Sequence, residues 1–321
     1  MERPHRRVLF ALLSVLILSC ALAGTASASE IVARNALKIA IKVDGKGHAV
    51  VYYKIGGKPY HPVFWGAKNA YTPHANLKQI SFKRDYSGGF QRLHTPLWKN
   101  IKNKCRRYDG PALPWYVAGC KAPDGSYWTL QRWQRMLPNL GYKPWKAAQK
   151  VQELHLAHWT RGNIAHLDLY ADWAYSSHFH HLFGRMTYRG VPVYGFGATH
   201  TGNPTDDYGR NVYVDTYNSR YAAGWRRENS FLTHRNAGNF CYLFFSRKSY
   251  YDSSTRPAGN GQRYRATVIG PGVTPDVRTY VNGLADFDEN DPDQVDYENQ
   301  MDALNRELAR NDVSNTPCTN N

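Results

Sequence analysis

The chain has 321 residues, of which 14% are aromatic, and its 41 basic residues outnumber its 25 acidic residues for a formal net charge of +16. This length allows one large hydrophobic core or two modest domains. After the N-terminal segment, no apolar stretch approaches the length of a membrane span, which excludes a transmembrane segment in the rest of the chain.

The N-terminus has the three-part pattern of a secretory signal. Residues 1–7 hold three arginines against one acid, residues 8–23 are apolar, and the small residues Ala26-Ser27-Ala28 follow. We expect cleavage after Ala28 and an exported mature chain. An uncleaved anchor, a lipoprotein cut before Cys20 and a twin-arginine signal at Arg6-Arg7 are the alternatives.

Most of the chain predicts short strands separated by turns. Glycine-containing turns at 44–47 and 123–125 indicate two hairpins, because glycine supplies the positive φ angle that tight turns need. Further strands are predicted at 151–159, 164–175, 211–217 and 263–269. About a dozen short antiparallel strands indicate an all-β fold, a sandwich or jelly-roll-like arrangement.

Two helices are predicted beside these strands. Thr95 and Pro96 form a start signal, and the apolar residues after them recur at helical spacing. This short basic helix would align Lys99, Lys102 and Arg106 in one stripe, which we interpret as a polyanion contact or a solvated face. The second helix is acidic and begins at Asp291, with Gln294 placed for a capping bond.

The charge is unevenly distributed along the chain. From residue 283 to 321 ten acids stand against two arginines, a net charge of −8, which leaves about +22 on residues 29–282. We therefore divide the chain into a signal peptide at 1–28, a basic, aromatic-rich β domain at 29–282 and an acidic C-terminal helix and tail at 283–321. This asymmetry predicts an anionic partner, or a tail that masks the basic surface.

The mature chain would keep an even number of cysteines in a compartment where disulfides persist. We favour a bridge between Cys105 and Cys120, near neighbours in sequence, and a second between Cys241 and Cys318 that would hold the C-terminus. Sequence alone allows three connectivities.

Histidines are concentrated between residues 155 and 200. Alternation along the strand at 164–175 puts His166, Asp168 and Asp172 on one face, while Ala165, Leu167, Leu169, Ala171 and Trp173 line the other. With His178 and His180 nearby, imidazoles and carboxylates of this kind suit a divalent transition metal. A solvated sheet face is the alternative interpretation, and no HExxH motif occurs.

A pair of carboxylates for glycoside hydrolysis is a second enzymatic hypothesis. Glutamate is scarce before the tail, so Glu153 and Glu228 are the first catalytic candidates. Asp168, Asp172 and Asp215 stand behind them. Ion pairing with Arg226 or Arg227 is the alternative role for Glu228, and an exposed position on a strand is the alternative for Glu153.

We expect an exported protein that binds an anionic or carbohydrate polymer of the cell envelope or exterior. A secreted hydrolase, metal-dependent or of the glycoside type, is the first alternative, and a structural protein without a site is the second. Nucleic acid is an unlikely partner on this sequence, because no recognition module is present and export separates the chain from it. A flat basic face with exposed rings would favour binding, whereas convergence of the histidines and aspartates in a pocket would favour an enzyme.

Overall fold

The computed structural model describes residues 30–69, 82–85, 97–134, 151–174, 179–193, 212–219, 222–231, 233, 237–244, 263–268 and 277–310. Within these residues the chain forms eighteen β-strands, all in antiparallel sheets, together with a single-turn 3₁₀ helix and one α-helix. The predicted all-β class is confirmed. No helix in the described part has both the length and the apolar character needed to span a membrane.

The first half of the chain builds two sheets. Its strands are β1 (Glu30–Arg34), β2 (Leu37–Val43), β3 (Ala49–Ile55), β4 (Lys58–Tyr60), β5 (Val63–Gly66), β6 (Phe82–Asp85), β7 (Arg106–Arg107), β8 (Tyr116–Lys121), β9 (Tyr127–Gln134) and β10 (Gln152–Trp159). Sheet I has the order β1-β10-β9-β8-β7, and sheet II has the order β2-β3-β5-β6 with β4 also paired to β3. Their inner faces share one core that includes Val51, Phe64, Trp128, Leu130 and Leu154.

The second half repeats this layered arrangement. Its elements are β11 (Ala165–Ala174), β12 (Phe179–Tyr188), β13 (Val191–Pro192), β14 (Val212–Ser219), β15 (Ala222–Phe231), β16 (Asn239–Phe244), β17 (Arg263–Val268), β18 (Val277–Asn282) and α1 (Pro292–Ala309). Sheet III has the order β11-β12-β13 with β16 also paired to β12, and sheet IV has the order β15-β14-β17-β18. Leu182, Met186, Val214, Tyr264 and Val268 belong to their shared core.

The basic helix predicted after Thr95 is wrong beyond its first turn. Only Leu97–Asn100 is helical, as a 3₁₀ turn. The following backbone bonds to β2 instead, because Lys104 N donates to Val43 O at 2.7 Å and Asn103 Oδ1 accepts from Val43 N at 3.2 Å. These tertiary hydrogen bonds override the local helical pattern, and Arg106 lies in strand β7 rather than on a helix.

The C-terminal helix begins where the sequence predicts. Asp291 caps it by accepting from Asp293 N at 3.0 Å, and Gln294 Nε2 donates to Asp291 Oδ2 at 2.9 Å. The helix packs on sheet III: Tyr297 Oη donates to Ala171 O at 2.8 Å, and Asn239 Nδ2 donates to Leu308 O. The acidic segment is therefore held against sheet III.

Candidate anion-binding face

The outer face of sheet IV is set by the alternation of β17. Tyr264, Ala266 and Val268 are buried in the core, so Arg263 and Arg265 project from the other side. Residues directly opposite one another on antiparallel strands share a face. The register therefore brings Asp215 and Tyr280 beside Arg265, and Trp225 beside Tyr217.

Arginines and aromatic rings alternate across this face. The guanidinium of Arg263 lies 4.1 Å from the Tyr217 ring centroid, and that of Arg265 lies 4.7 Å from the Trp225 centroid. Arg278 lies 5.0 Å from the Tyr280 centroid, and the Trp225 and Tyr280 centroids are 5.2 Å apart. The three arginine–ring separations are within the range of cation–π attraction. We call this surface the guanidinium–ring face; it comprises Tyr217, Trp225, Arg263, Arg265, Arg278 and Tyr280.

Positive charge exceeds negative charge on the guanidinium–ring face. Asp215 is buried and accepts from Arg265 Nε at 2.9 Å and Nη2 at 2.6 Å. Among the described residues it is the only carboxylate in salt-bridge contact with any of the three arginines. Burial lowers the pKa of Arg278, as does its neighbour Arg265, but a guanidinium stays protonated at any physiological pH. Of the three cations, only Arg265 is therefore paired with a described carboxylate.

Trp115 extends the guanidinium–ring face from the first half of the chain. The Arg278 guanidinium lies 4.7 Å from the Trp115 ring centroid, and the Trp115 and Trp133 rings are 6.3 Å apart. Trp133 packs in turn with Tyr213 of β14. The backbone of Trp115 has φ of 55°, a left-handed conformation that costs about 1–2 kcal/mol for a bulky residue. The strained backbone therefore occurs at the residue whose ring packs against the Arg278 guanidinium.

The residues predicted for polyanion contact lie elsewhere. Lys99 is exposed, with its Nζ 5.7 Å from the Trp98 ring centroid, and Lys102 lines a cleft beside the β2–β3 turn. Arg106 is exposed on β7, opposite Lys121. The three cations do not form one helical stripe, although each belongs to the first half of the chain.

The predicted metal ligands are not brought together. His166 and Asp168 are exposed on the outer face of sheet III, whereas His180 pairs with Trp173 and so faces the opposite side. His178 lies outside the described residues. No group of three or more His, Cys, Asp or Glu side chains in the described ranges is arranged to hold a metal ion. The transition-metal hypothesis gains no support from this geometry.

The predicted alternation of β11 is nevertheless confirmed, and it leads to a buried polar pair. Ala165, Leu169, Ala171 and Trp173 are buried on the core side. On the other side, Asp172 is paired in register with His181 of β12, and both side chains are fully buried beneath α1. Asp172 Oδ1 accepts from Trp173 N at 2.8 Å, but Asp172 Oδ2 and both ring nitrogens of His181 have no hydrogen-bond partner among the described residues.

Burial shifts these two pKa values in opposite directions. It raises the pKa of Asp172 to about 7, and the carboxylates of Asp302 and Glu298 add to that rise. It lowers the pKa of His181 to about 3, with a further contribution from His180. Each group is therefore held toward its neutral form.

The two glutamates predicted as catalytic candidates lie in different sheets. Glu153 of β10 is buried and its carboxylate bonds to Arg34 Nε at 3.1 Å and to His155 Nε2 at 3.4 Å. Burial raises its pKa, but the bonds from His155 and Arg34 outweigh that effect and hold the pKa below its ordinary value. A general acid needs the opposite shift. Glu228 lies in β15 of sheet IV, and its side chain is outside the described residues.

The predicted bridge between Cys105 and Cys120 is confirmed, with their Cα atoms 5.5 Å apart. Cys241 also takes part in a disulfide. Cys318 lies outside the described residues, so its pairing with Cys241 stays a prediction.

Sequence reasoning missed the guanidinium–ring face, although one signal was present. In β17 the sequence Arg-Tyr-Arg-Ala-Thr-Val alternates cationic or polar residues with core residues, and Arg278 and Tyr280 repeat that period in β18. Comparison with protein-family models, with curated proteins and with solved structures finds no match to this chain.

Proposed function

We propose that this protein is exported and binds an anionic polysaccharide on its guanidinium–ring face. The observation that carries the proposal is the face itself, where Asp215 pairs with Arg265 while Arg263 and Arg278 lie over aromatic rings and form no salt bridge with a described residue. A ligand that supplies carboxylate or sulfate groups would complete this charge balance. Guanidinium groups bind such anions through two parallel hydrogen bonds.

The rings support a carbohydrate rather than any other polyanion. Tyr280 has 46% of its surface exposed on edge strand β18, and it lies next to Trp225. Flat aromatic rings with a polar edge suit the mixed apolar and hydroxylated surface of a sugar. A sheet face also accommodates an extended chain, because it offers repeated contacts along the strands rather than one enclosed pocket.

Export is supported by the signal-like N-terminus and by the Cys105–Cys120 disulfide, since such bonds persist mainly outside the cytosol. An exterior location would give the protein access to acidic glycans of a cell envelope or matrix.

The test is titration of the mature chain with heparin, polygalacturonate, poly-glutamate and neutral dextran. We expect binding to both acidic polysaccharides, weaker binding to poly-glutamate and none to dextran. Arg263→Gln and Arg278→Gln should each weaken binding about fivefold, the loss of roughly 1 kcal/mol for one exposed charged contact. Tyr280→Ala should weaken polysaccharide binding but leave poly-glutamate binding unchanged, because only a sugar uses the ring.

Arg161→Gln is the matched control, because Arg161 is an exposed arginine in the turn between β10 and β11. Its removal changes the net charge equally without touching the guanidinium–ring face. If Arg161→Gln weakens binding as much as Arg263→Gln does, attraction depends on total charge alone and the proposed face is rejected.

A further inference from the structure

A cleft of about 470 Å³ opens between the β2–β3 turn and the segment 97–104. Its lining includes Lys46, His48, Leu97, Ile101, Lys102 and Lys104. A volume of this size is within the range of small-molecule sites, which begins at roughly 300 Å³. None of these residues belongs to the guanidinium–ring face.

One wall of the cleft is fixed in place. The Trp98 ring stacks on His61 at a centroid distance of 4.2 Å. Asn103 Oδ1 accepts from Val43 N and from Cys105 N, both at 3.2 Å. The Cys105–Cys120 disulfide then anchors the end of this segment to β8. A wall held in this way loses little conformational freedom when a ligand binds.

The cleft carries positive charge that its own acid does not neutralise. Asp44 accepts from Lys46 N at 2.8 Å, from His48 N at 2.9 Å and from His48 Nδ1 at 3.0 Å. Burial raises the pKa of Asp44, but these bonds outweigh it and hold the pKa below its usual value. The negative charge of the Asp44 carboxylate is therefore already hydrogen-bonded within its own turn. Lys46, Lys102 and Lys104 form no salt bridge with any residue in the described part of the chain.

The remaining lining is apolar except for Asn100. Leu97 has 40% of its surface exposed, and Ile101 and Val63 lie beside it in the cleft. Lysine side chains add their own aliphatic stems while keeping the ammonium group in water. An exposed leucine beside ammonium groups calls for a ligand with both an apolar body and an anionic end.

We infer that this cleft binds an amphipathic anion, an aliphatic chain with one carboxylate or phosphate headgroup. The chain would lie on Leu97 and Ile101, and the headgroup would face Lys102 and Lys104. The site is independent of polysaccharide binding, because the two surfaces share no residue.

The experiment is calorimetric titration of the mature chain with dodecanoate below its micelle concentration, compared with inorganic phosphate and uncharged dodecyl maltoside. We expect saturable binding of dodecanoate and at least about tenfold weaker binding of both others, since each lacks one of the two recognised features. Lys102→Gln with Lys104→Gln should weaken dodecanoate binding about fivefold or more, the scale of two exposed charged contacts. Leu97→Ser should weaken it by about threefold to tenfold.

The matched control is Lys54→Gln with Lys58→Gln, two exposed lysines of β3 and β4. It should bind dodecanoate like the native chain, as should Arg263→Gln, so that loss of this site is distinguishable from loss of the polysaccharide face. Failure of dodecanoate to bind overturns the inference. Equal binding of inorganic phosphate, or equal weakening by the control pair, also overturns it.

Discussion

Asp172 and His181 face each other beneath α1, and their opposed pKa shifts make opposite contributions to stability with pH. The pKa of Asp172 is raised to about 7 in the folded chain, so its contribution is present at low pH and is lost as the pH rises from about 4 to 7. The pKa of His181 is lowered to about 3, so its contribution is present above pH 6.5 and is lost as the pH falls toward 3. In the native chain, the stability that Asp172 loses as the pH rises from about 4 to 7 is largely offset by the stability that His181 gains over much of that range.

Single substitutions should separate these contributions. As the pH rises from 4 to 7, the unfolding free energy of Asp172→Asn should increase by about 1–3 kcal/mol relative to that of the native chain. The variant has no carboxyl group to ionise at this position, so it does not lose that stability. His181→Gln should gain a similar amount as the pH falls from about 6.5 to 4. Urea unfolding at several pH values measures both trends. Curves for both variants that stay parallel to the native curve would show that neither group is buried in the folded state.

Gly184 is required by a close approach of β12 to β11. A Cβ atom at this position would lie 2.0 Å from the backbone oxygen of Asp168. Gly184→Ala should therefore lower the unfolding free energy by about 2–4 kcal/mol, because the strands must move apart. The control is Gly45→Ala in the β2–β3 turn, where an added Cβ would meet nothing within 4 Å. Chemical denaturation of the two variants tests this difference.

Helix α1 depends on its cap, because its contacts with sheet III are few. Asp291→Ala removes the acceptor for Asp293 N and for Gln294 Nε2. We expect a loss of about 1 kcal/mol, seen as faster amide exchange in residues 292–309 with little change in the sheets. Asp296→Ala removes the same charge from an exposed position within the helix and should leave exchange nearly unchanged. Equal exchange in the two variants would argue against the cap.

Local elements were predictable where local chemistry decides them. The turns at 44–47 and 123–125 connect β2 to β3 and β8 to β9 as expected, because Gly47 and Gly125 adopt the positive φ that these turns need. The predicted helix after Thr95 does not continue because Val43, far away in sequence, accepts from the backbone N–H of Lys104 and donates to the side-chain oxygen of Asn103. Lys102 was identified as an anion contact on the wrong element, yet it lines the cleft.

The guanidinium–ring face was beyond prediction because it depends on register between distant strands. Asp215 meets Arg265 across a sequence separation of 50, and no pattern in either strand specifies that pairing. The burial of Asp172 likewise depends on α1, more than a hundred residues later. Alternation identified which face each side chain occupies but not what covers that face.

At the scale of the whole molecule, the described buried residues divide into two main cores, one shared by sheets I and II and one by sheets III and IV. Trp115, Trp133 and Tyr213 form a small cluster between the halves. The Cys105–Cys120 disulfide belongs to the first half and closes a loop with a sequence separation of 15. The halves thus have separate sources of stability.

Replacing Cys105 and Cys120 by serine should therefore lower the unfolding free energy of the first half by about 2–3 kcal/mol, the value for a disulfide that closes a loop of this length. Amide exchange in β2, β3 and β8 should accelerate, while exchange in β14 and β17 stays unchanged. Equal acceleration in all five strands would show that the two cores unfold as one unit. Cys241 must be left intact in this variant, because it forms its own disulfide.

Charge is also separated at this scale. The acidic helix packs on sheet III, whereas the guanidinium–ring face is on the outer side of sheet IV, across the core that these sheets share. In this arrangement the described part of the acidic segment does not cover the arginines of sheet IV. For the described helix to mask these arginines, it would have to leave sheet III.

The pleat of β17 has a consequence for which polymers this surface would prefer. Arg263 and Arg265 are two residues apart on one strand, a separation of about 7 Å, and adjacent strands lie about 4.8 Å apart. The cations are therefore held at fixed intervals by backbone hydrogen bonds rather than by flexible side-chain positions alone. A glycan whose acidic groups recur at a matching interval engages several arginines at once, while a sparsely charged one meets them singly. Under the proposed function, linear charge density, more than total charge, would be the property by which the protein discriminates among polysaccharides.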